Sequence, residues 1–265
     1  MFKPHWLGWS RSATRSSGGM SLPPELLQEI FVHLPAHQVV LVGRRVCREW
    51  RALADSESLW RERCRREGYQ PSDEALVLKD WKMFYFLTKA RRNLLKNPRA
   101  DEGLRHWNIV SNMGDGWRVE NVMKTHPNEG TTKNFVTSYG PCSKSLLVDL
   151  RKEGYNNYLM DKVKPHIRVT DWYAPRFDCA SEYEFRVELQ NKNKKVLHVF
   201  APEKVRFEQW NDQNWNKMTH VFKNYGPGVQ YVNFVHGGQD KQFWKGWYGV
   251  RVTDSCVEIC PSEGV

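Results

Sequence analysis

From Leu22 to Leu59 the apolar residues recur at helical intervals: Leu26, Leu27, Ile30, Phe31 and Leu34, then Val46, Trp50 and Leu53. That spacing gathers them on one side of amphipathic helices. Pro23 and Pro24 sit where a first helical turn tolerates a missing N–H, Pro35 closes the segment, and Gly43 interrupts the next one before Arg44 to Ala54 resumes. The pattern predicts several short helices. A further helical stretch, Ala75 to Leu95, sets Trp81, Phe84, Tyr85 and Leu87 among Lys and Arg and stops at Asn97-Pro98, which reads as a rigid connector.

Beyond residue 104 the period shifts to two, clearest in Tyr183, Phe185, Val187 and Leu189, and in Val229, Tyr231, Val232 and Phe234. Strands are also predicted over Asn134–Ser138, Ser145–Leu150, Ile167–Trp172, Val196–Phe200, Thr219–Phe222, Gly249–Thr253 and Cys256–Ile259, with one short helix near Tyr155–Val163. Short strands joined by Gly, Pro, Asn and Asp clusters predict an antiparallel sandwich or barrel. The fold class is therefore α+β, helices first and sandwich second.

Composition narrows the function classes. The 265 residues are 40% hydrophobic and 13% aromatic, which suffices for a buried core. The longest apolar runs, such as Val39 to Val42, fall far short of the roughly 20 residues of a membrane span. Residues 1–20 lack the apolar run of roughly 7–15 residues of a secretory signal, so the expectation is a cytoplasmic protein with a flexible arm over 1–20. Six cysteines without a CxxC pair read as free thiols. The net charge of +10 is concentrated in the first hundred residues, which hold 18 Lys and Arg against 10 Asp and Glu. The arginines are interleaved with Glu49, Glu57, Glu62 and Glu67, the pattern of solvated helix faces more than of a nucleic-acid surface. The histidines show no metal-ligand spacing and no phosphate-binding glycine motif occurs, so neither a metal nor a cofactor is expected.

The run LPPELLQEIFVHLPAHQVVLVGRRVCREWRALADSESLW, Leu22 to Trp60, resembles an F-box. The resemblance implies docking on the Skp adaptor of an SCF ubiquitin ligase and, through it, on the cullin scaffold. The partner-facing residues it implies are Leu22, Pro23, Leu26, Leu27, Ile30, Phe31, Leu34 and Val39. A three-helix unit of about forty residues is too small to bury all its apolar surface, which leaves part of its face for a partner.

Three further stretches, Arg91 to Pro98, Asp171 to Leu189 and Tyr225 to Ser255, resemble the F-box-associated domain of the sugar-recognising F-box proteins. The implied division is an F-box over 21–65, a helical linker over 66–98 and a jelly-roll-like β-sandwich over 99–265. A turn bounded by Gly237-Gly238 and Gly246 carries Phe243 and Trp244 where loop residues are normally polar. Aromatic faces suit the C–H side of a pyranose, while a neighbouring Lys and carboxylate hydrogen-bond its hydroxyls. The resemblance implies a glycan site made of Phe243, Trp244, Lys245, Tyr139 and Asp178, with Phe in place of the family's usual Tyr at 243 and Tyr in place of its Phe at 139. Trp172, Trp210, Trp215 and Trp247 are expected as strand-packing residues, since Trp is mostly buried.

The implied function is that of a non-catalytic receptor for the inner N-acetylglucosamine pair of high-mannose glycans on misfolded glycoproteins, which are handed on for ubiquitination and ER-associated degradation. A glycosidase needs two carboxylates, and only Asp178, with Asp240 a distant second, is available. The rival is an adaptor of the same architecture whose sandwich reads unglycosylated protein clients.

Overall fold

The computed structural model describes residues 22–71 and 80–262; the expected arm over 1–20 and the first five residues of the expected Ala75–Leu95 helix lie outside them. The chain divides into two compact units, meeting in sequence at Gly68 and Tyr69.

The first unit is helical: α1 Pro24–His33, α2 Ala36–Leu41, a 3₁₀ turn Gly43–Arg45, α3 Arg48–Ala54 and α4 Glu57–Glu67. Pro24 opens α1 where its missing N–H is harmless, Ser56 caps α4 through the Leu59 amide, and Gly68 ends α4 in the left-handed region at φ 74°. Phe31, Val39, Leu59 and Trp60 form the centre. Phe31 meets Trp50 edge-on at 5.1 Å. Arg63 is buried because its guanidinium donates to the carbonyls of Phe31, Val32 and Leu34 at 2.8, 3.1 and 2.9 Å. Those are carbonyls left over at the end of α1, and a cation there also meets the negative end of the helix dipole.

The second unit begins with α5 Trp81–Lys89, capped by Asp80 on the Met83 amide. The helix stops six residues before the expected end at Leu95. There the chain straightens, the Leu94 amide donates to Val257 O at 2.8 Å, and Leu94 and Leu95 enter the sandwich core. Asn97, buried in the left-handed region at φ 51°, then donates to Gly103 O and Arg105 O.

Eleven antiparallel strands follow: β1 Asn108–Asn112, β2 Arg118–Asn121, β3 Lys133–Val136, β4 Cys142–Asp149, β5 His166–Ala174, β6 Ser181–Gln190, β7 Val196–Phe200, β8 Val205–Phe207, β9 Asn216–Phe222, β10 Tyr231–Asp240 and β11 Arg251–Cys260. One sheet runs β1-β4-β10-β6-β7 with β8 also on β6; the other runs β2-β3-β11-β5-β9. Their facing residues, among them Phe135, Val187, Val232, Phe234, Val252 and Ile259, build one core. The α+β class with a C-terminal β-sandwich is thus the observed one. Two expected strands, Gly249–Thr253 and Cys256–Ile259, are a single β11 with an irregularity after Thr253, where Asp254 adopts φ 49°. The expected helix near Tyr155–Val163 is one π turn over Leu159–Val163.

A polar cluster crosses this core. The Asp171 carboxylate accepts from Tyr183 Oη at 2.6 Å, Ser255 Oγ at 2.6 Å and His236 Nδ1 at 2.7 Å, and His236 Nε2 is left to accept from Lys144 Nζ. Lys144 lies 3.4 Å from the Trp107 ring centre and 3.8 Å from that of Phe135. Burial pushes the Lys144 ammonium well below its ordinary range and holds His236 down to about 4. Residues from β4, β5, β6, β10 and β11 join here, so the cluster ties the two sheets together.

Candidate functional site

In the helical unit, adjacent positions of α1 divide exposed from inward-facing side chains. Leu22, Pro23, Leu26 and Ile30 are exposed and Leu34 is half-buried, whereas Leu27 and Phe31, on α1, and Val39, on α2, are buried. The last three therefore belong to the unit's own core rather than to a partner face. Leu26 and Ile30, four apart, share one side of α1, and Leu27 and Phe31 share a side about 100° further round. Leu41, Val42 and Val46 are also exposed; their sequence, VVLVGRRV, carried the apolar signal, but not its direction.

In the sandwich, four connections converge at one end. The loop after β10 carries Phe243, Trp244 and Lys245, all exposed: Phe243 at 72% and Trp244 at 38% of their full surface. Gly237-Gly238 do not bound this turn. They lie inside β10, where an added Cβ would come within 2.1 Å of Cys142 O and 2.0 Å of Glu182 O, so close strand packing explains both glycines.

The loop is held at both ends by carboxylates. Asp240 Oδ1 accepts from the amides of Gln242 and Phe243 at 3.0 and 2.6 Å, which supports Phe243 in the left-handed region at φ 56°. Burial raises the Asp240 carboxyl, and those amides oppose the shift. Asp115, from the β1–β2 loop, accepts from the Gly246 amide at 2.8 Å, and Trp247 Nε1 donates to Gly116 O at 3.2 Å. The signals for Asp115 and Asp240 as latches are absent from the sequence, because each acts on backbone N–H groups.

Tyr139 sits in the adjoining β3–β4 connection. Its ring edge lies over Gly114, where an added Cβ would approach it to 3.3 Å, and Gly140 lies against Gly114 so closely that neither admits a side chain. The Asp240 amide donates to Ser138 O at 2.9 Å, joining this connection to the base of the Phe243 loop.

Asp178 comes from the β5–β6 connection. Its Oδ1 accepts from Arg176 Nε at 2.7 Å; the Arg176 guanidinium stacks 4.3 Å from the Tyr248 ring centre, and Tyr248 meets Trp244 edge-on at 5.4 Å. Two further bonds, Lys241 N to Ala180 O and Ala180 N to Gln242 Oε1, bind this connection to the same loop. All five expected residues thus stand on connections that are hydrogen-bonded to one another at one rim. Two surface grooves of about 270 Å³ lie elsewhere, one at Glu184, Phe185 and Lys204, the other at Leu94, His106 and Asp149, and neither is lined by any of the five.

Of the four tryptophans expected in packing roles, Trp172 and Trp215 flank His126 at 4.9 Å and Trp247 stacks under Arg118, all half-buried. Trp210 departs from the expectation: it is 66% exposed, in a loop against the Asp178 connection. All six cysteines are unbridged. Among the described residues no group of three or more His, Cys, Asp or Glu stands together to hold a metal, and no helix is long and apolar enough to cross a membrane.

Residues 20–66 match the F-box-like family and residues 85–259 the F-box associated region. F-box only protein 6 of Bos taurus is 48% identical over 242 residues, 90% of this chain and 91% of that protein. F-box only protein 44 of Mus musculus is 46% identical over 244 residues, 91% and 96% of the two chains. F-box only protein 2 of Bos taurus is 41% identical over 247 residues, 91% and 83%.

Proposed function

The chain belongs to the F-box proteins with an F-box-associated region, and on that premise we propose that it is the substrate-recognition subunit of an SCF ubiquitin ligase and reads N-glycans. The helical unit docks on a Skp adaptor through Leu22, Pro23, Leu26 and Ile30, which links the chain to the cullin scaffold. The sandwich rim takes the inner N-acetylglucosamine pair of high-mannose glycans on misfolded glycoproteins in the cytosol, presenting them for ubiquitination and ER-associated degradation. Residues 66–98 serve as the linker. Bond making and breaking reside on the partner enzymes.

One observation carries this reading: Phe243 and Trp244 are exposed on a loop latched by Asp240 and Asp115, with Lys245 beside them. Exposed aromatics on a stiff loop offer flat apolar faces to the C–H side of a sugar without an ordering cost at binding. Lys245 supplies a donor and Asp178 an acceptor for hydroxyl and acetamido groups. The Arg176 bond holds the Asp178 carboxylate in place, and its remaining oxygen is available to the ligand.

Calorimetric titration with N,N′-diacetylchitobiose tests the proposal. Saturable binding that Trp244→Ala abolishes while the thermal midpoint is kept supports it. No heat at millimolar disaccharide, with unglycosylated clients still recovered, selects the rival in which the sandwich reads polypeptide alone.

A further inference from the structure

The Phe177–Trp210 pair stands beside the five glycan-reading residues and is not one of them. The two rings meet edge-on at 5.4 Å and 67°, and the Trp210 amide donates to Phe177 O at 2.8 Å. Phe177 is 45% exposed and Trp210 66% exposed. Their position is built into the loops. Gln209 Nε2 donates to Asp178 O at 3.0 Å, Asn211 Nδ2 to Arg176 O at 2.7 Å and Glu208 O at 2.9 Å, and Asn211 Oδ1 accepts from the Gln213 amide. Trp210 itself is held at φ 64°, outside the usual range of a bulky residue. A loop that spends this many bonds on keeping an indole in water is a loop shaped for contact.

The chemistry of the neighbours identifies the occupant. A sugar platform needs polar groups free to reach hydroxyls, but the side-chain amides of Gln209 and Asn211 are engaged in holding backbone carbonyls. A hydroxyl-rich ligand lowered onto the pair loses water there without gaining those two amides as partners. An apolar side chain loses nothing. Trp and Phe at a protruding point are also the residue types that anchor protein contacts. We propose that Phe177 and Trp210 bind an apolar stretch of the client's own polypeptide near the glycosylated asparagine, of the kind that is exposed only when the client is unfolded. The pair adjoins the Asp178 connection through backbone hydrogen bonds, so the two contacts form one continuous rim. This inference rests on the glycan reading for its geometry and extends it: the sugar marks a glycoprotein, and the aromatic pair reports that its chain is open.

The test titrates the full chain with N,N′-diacetylchitobiose and, separately, with a reduced and carboxymethylated high-mannose glycoprotein. Trp210→Ser is expected to leave the disaccharide affinity within about twofold and to weaken the denatured glycoprotein about tenfold. Phe177→Ser repeats the measurement should Trp210→Ser lower the thermal midpoint. Unchanged affinity for the denatured glycoprotein overturns the proposal; a parallel loss for the free disaccharide overturns it too, by making the pair a sugar subsite. Should the wild-type chain bind no disaccharide, the glycan reading fails alone. The aromatic pair is then judged on the same denatured protein stripped of its glycan: weaker binding by Trp210→Ser upholds it, equal binding ends it.

Discussion

Both units display apolar side chains to solvent, and they do so for opposite reasons. On α1 the exposed Leu26 and Ile30 alternate with the buried Leu27 and Phe31 around a regular helix, so the exposed stripe is simply the half of an amphipathic surface that a small unit has no interior left to cover. The sandwich has interior to spare. Its Phe243, Trp244, Phe177 and Trp210 remain outside because Asp240, Asp115, Gln209 and Asn211 hold their loops there. On the proposed function, the first surface is an unfinished core for an adaptor to complete by area, and the second a finished platform whose stiffness matters as much as its area.

The difference is open to attack at several points. The largest effect is expected beneath the platform: Asp171→Ala leaves the donors of Tyr183, Ser255 and His236 unsatisfied inside the sandwich, costing about 3–5 kcal/mol, read by denaturant titration, with adaptor capture by the helical unit unchanged. Acid probes the same cluster. His236 is neutral in the folded chain down to about 4, whereas the unfolded side chain takes up its proton near its ordinary 6.5. The His236 contribution should therefore make stability fall as the pH drops from about 6.5 to about 4, by about 3 kcal/mol. On the helical surface, Leu26→Asp with Ile30→Asp should weaken adaptor binding about a hundredfold by burying charge in the interface, measured by pull-down and titration, while disaccharide binding stays intact. The smallest effect belongs to Asp240→Ala, which frees one end of the Phe243 loop. A roughly tenfold loss of disaccharide affinity with an unaltered fold would separate stiffness from area; an affinity equal to wild type would show that the exposed rings alone suffice.

Much of the architecture was legible from periodicity, and the exceptions have physical causes. β6 and β10 alternate cleanly because one face of each meets the core. β1, β2 and β8 are three to five residues long and lie toward solvent, too short and too wet to leave a period-two trace. Leu94 and Leu95 continue the apolar spacing of α5, but pairing with Val257 bends the chain into an extended run, a tertiary decision that no local pattern carries. At the rim, the exposure of Phe243 and Trp244 could be inferred from aromatics in a loop. That of Trp210 could not, since the average burial of Trp argues the other way and its reversal depends on Gln209 and Asn211 reaching across to another connection. The latches Asp115 and Asp240 stayed hidden for the same reason: each grips main-chain amides distant or unremarkable in sequence.

Arg63 sets a practical limit on dissecting the molecule. The Leu22–Trp60 run that carries the resemblance stops short of the guanidinium that closes the carbonyl end of α1, which arrives three residues later, inside the 20–66 match and within a helix that runs to Glu67. A peptide cut at Trp60 keeps that run and loses the clasp at the end of α1. Any isolated fragment intended to report on adaptor docking should extend through the terminating Gly68.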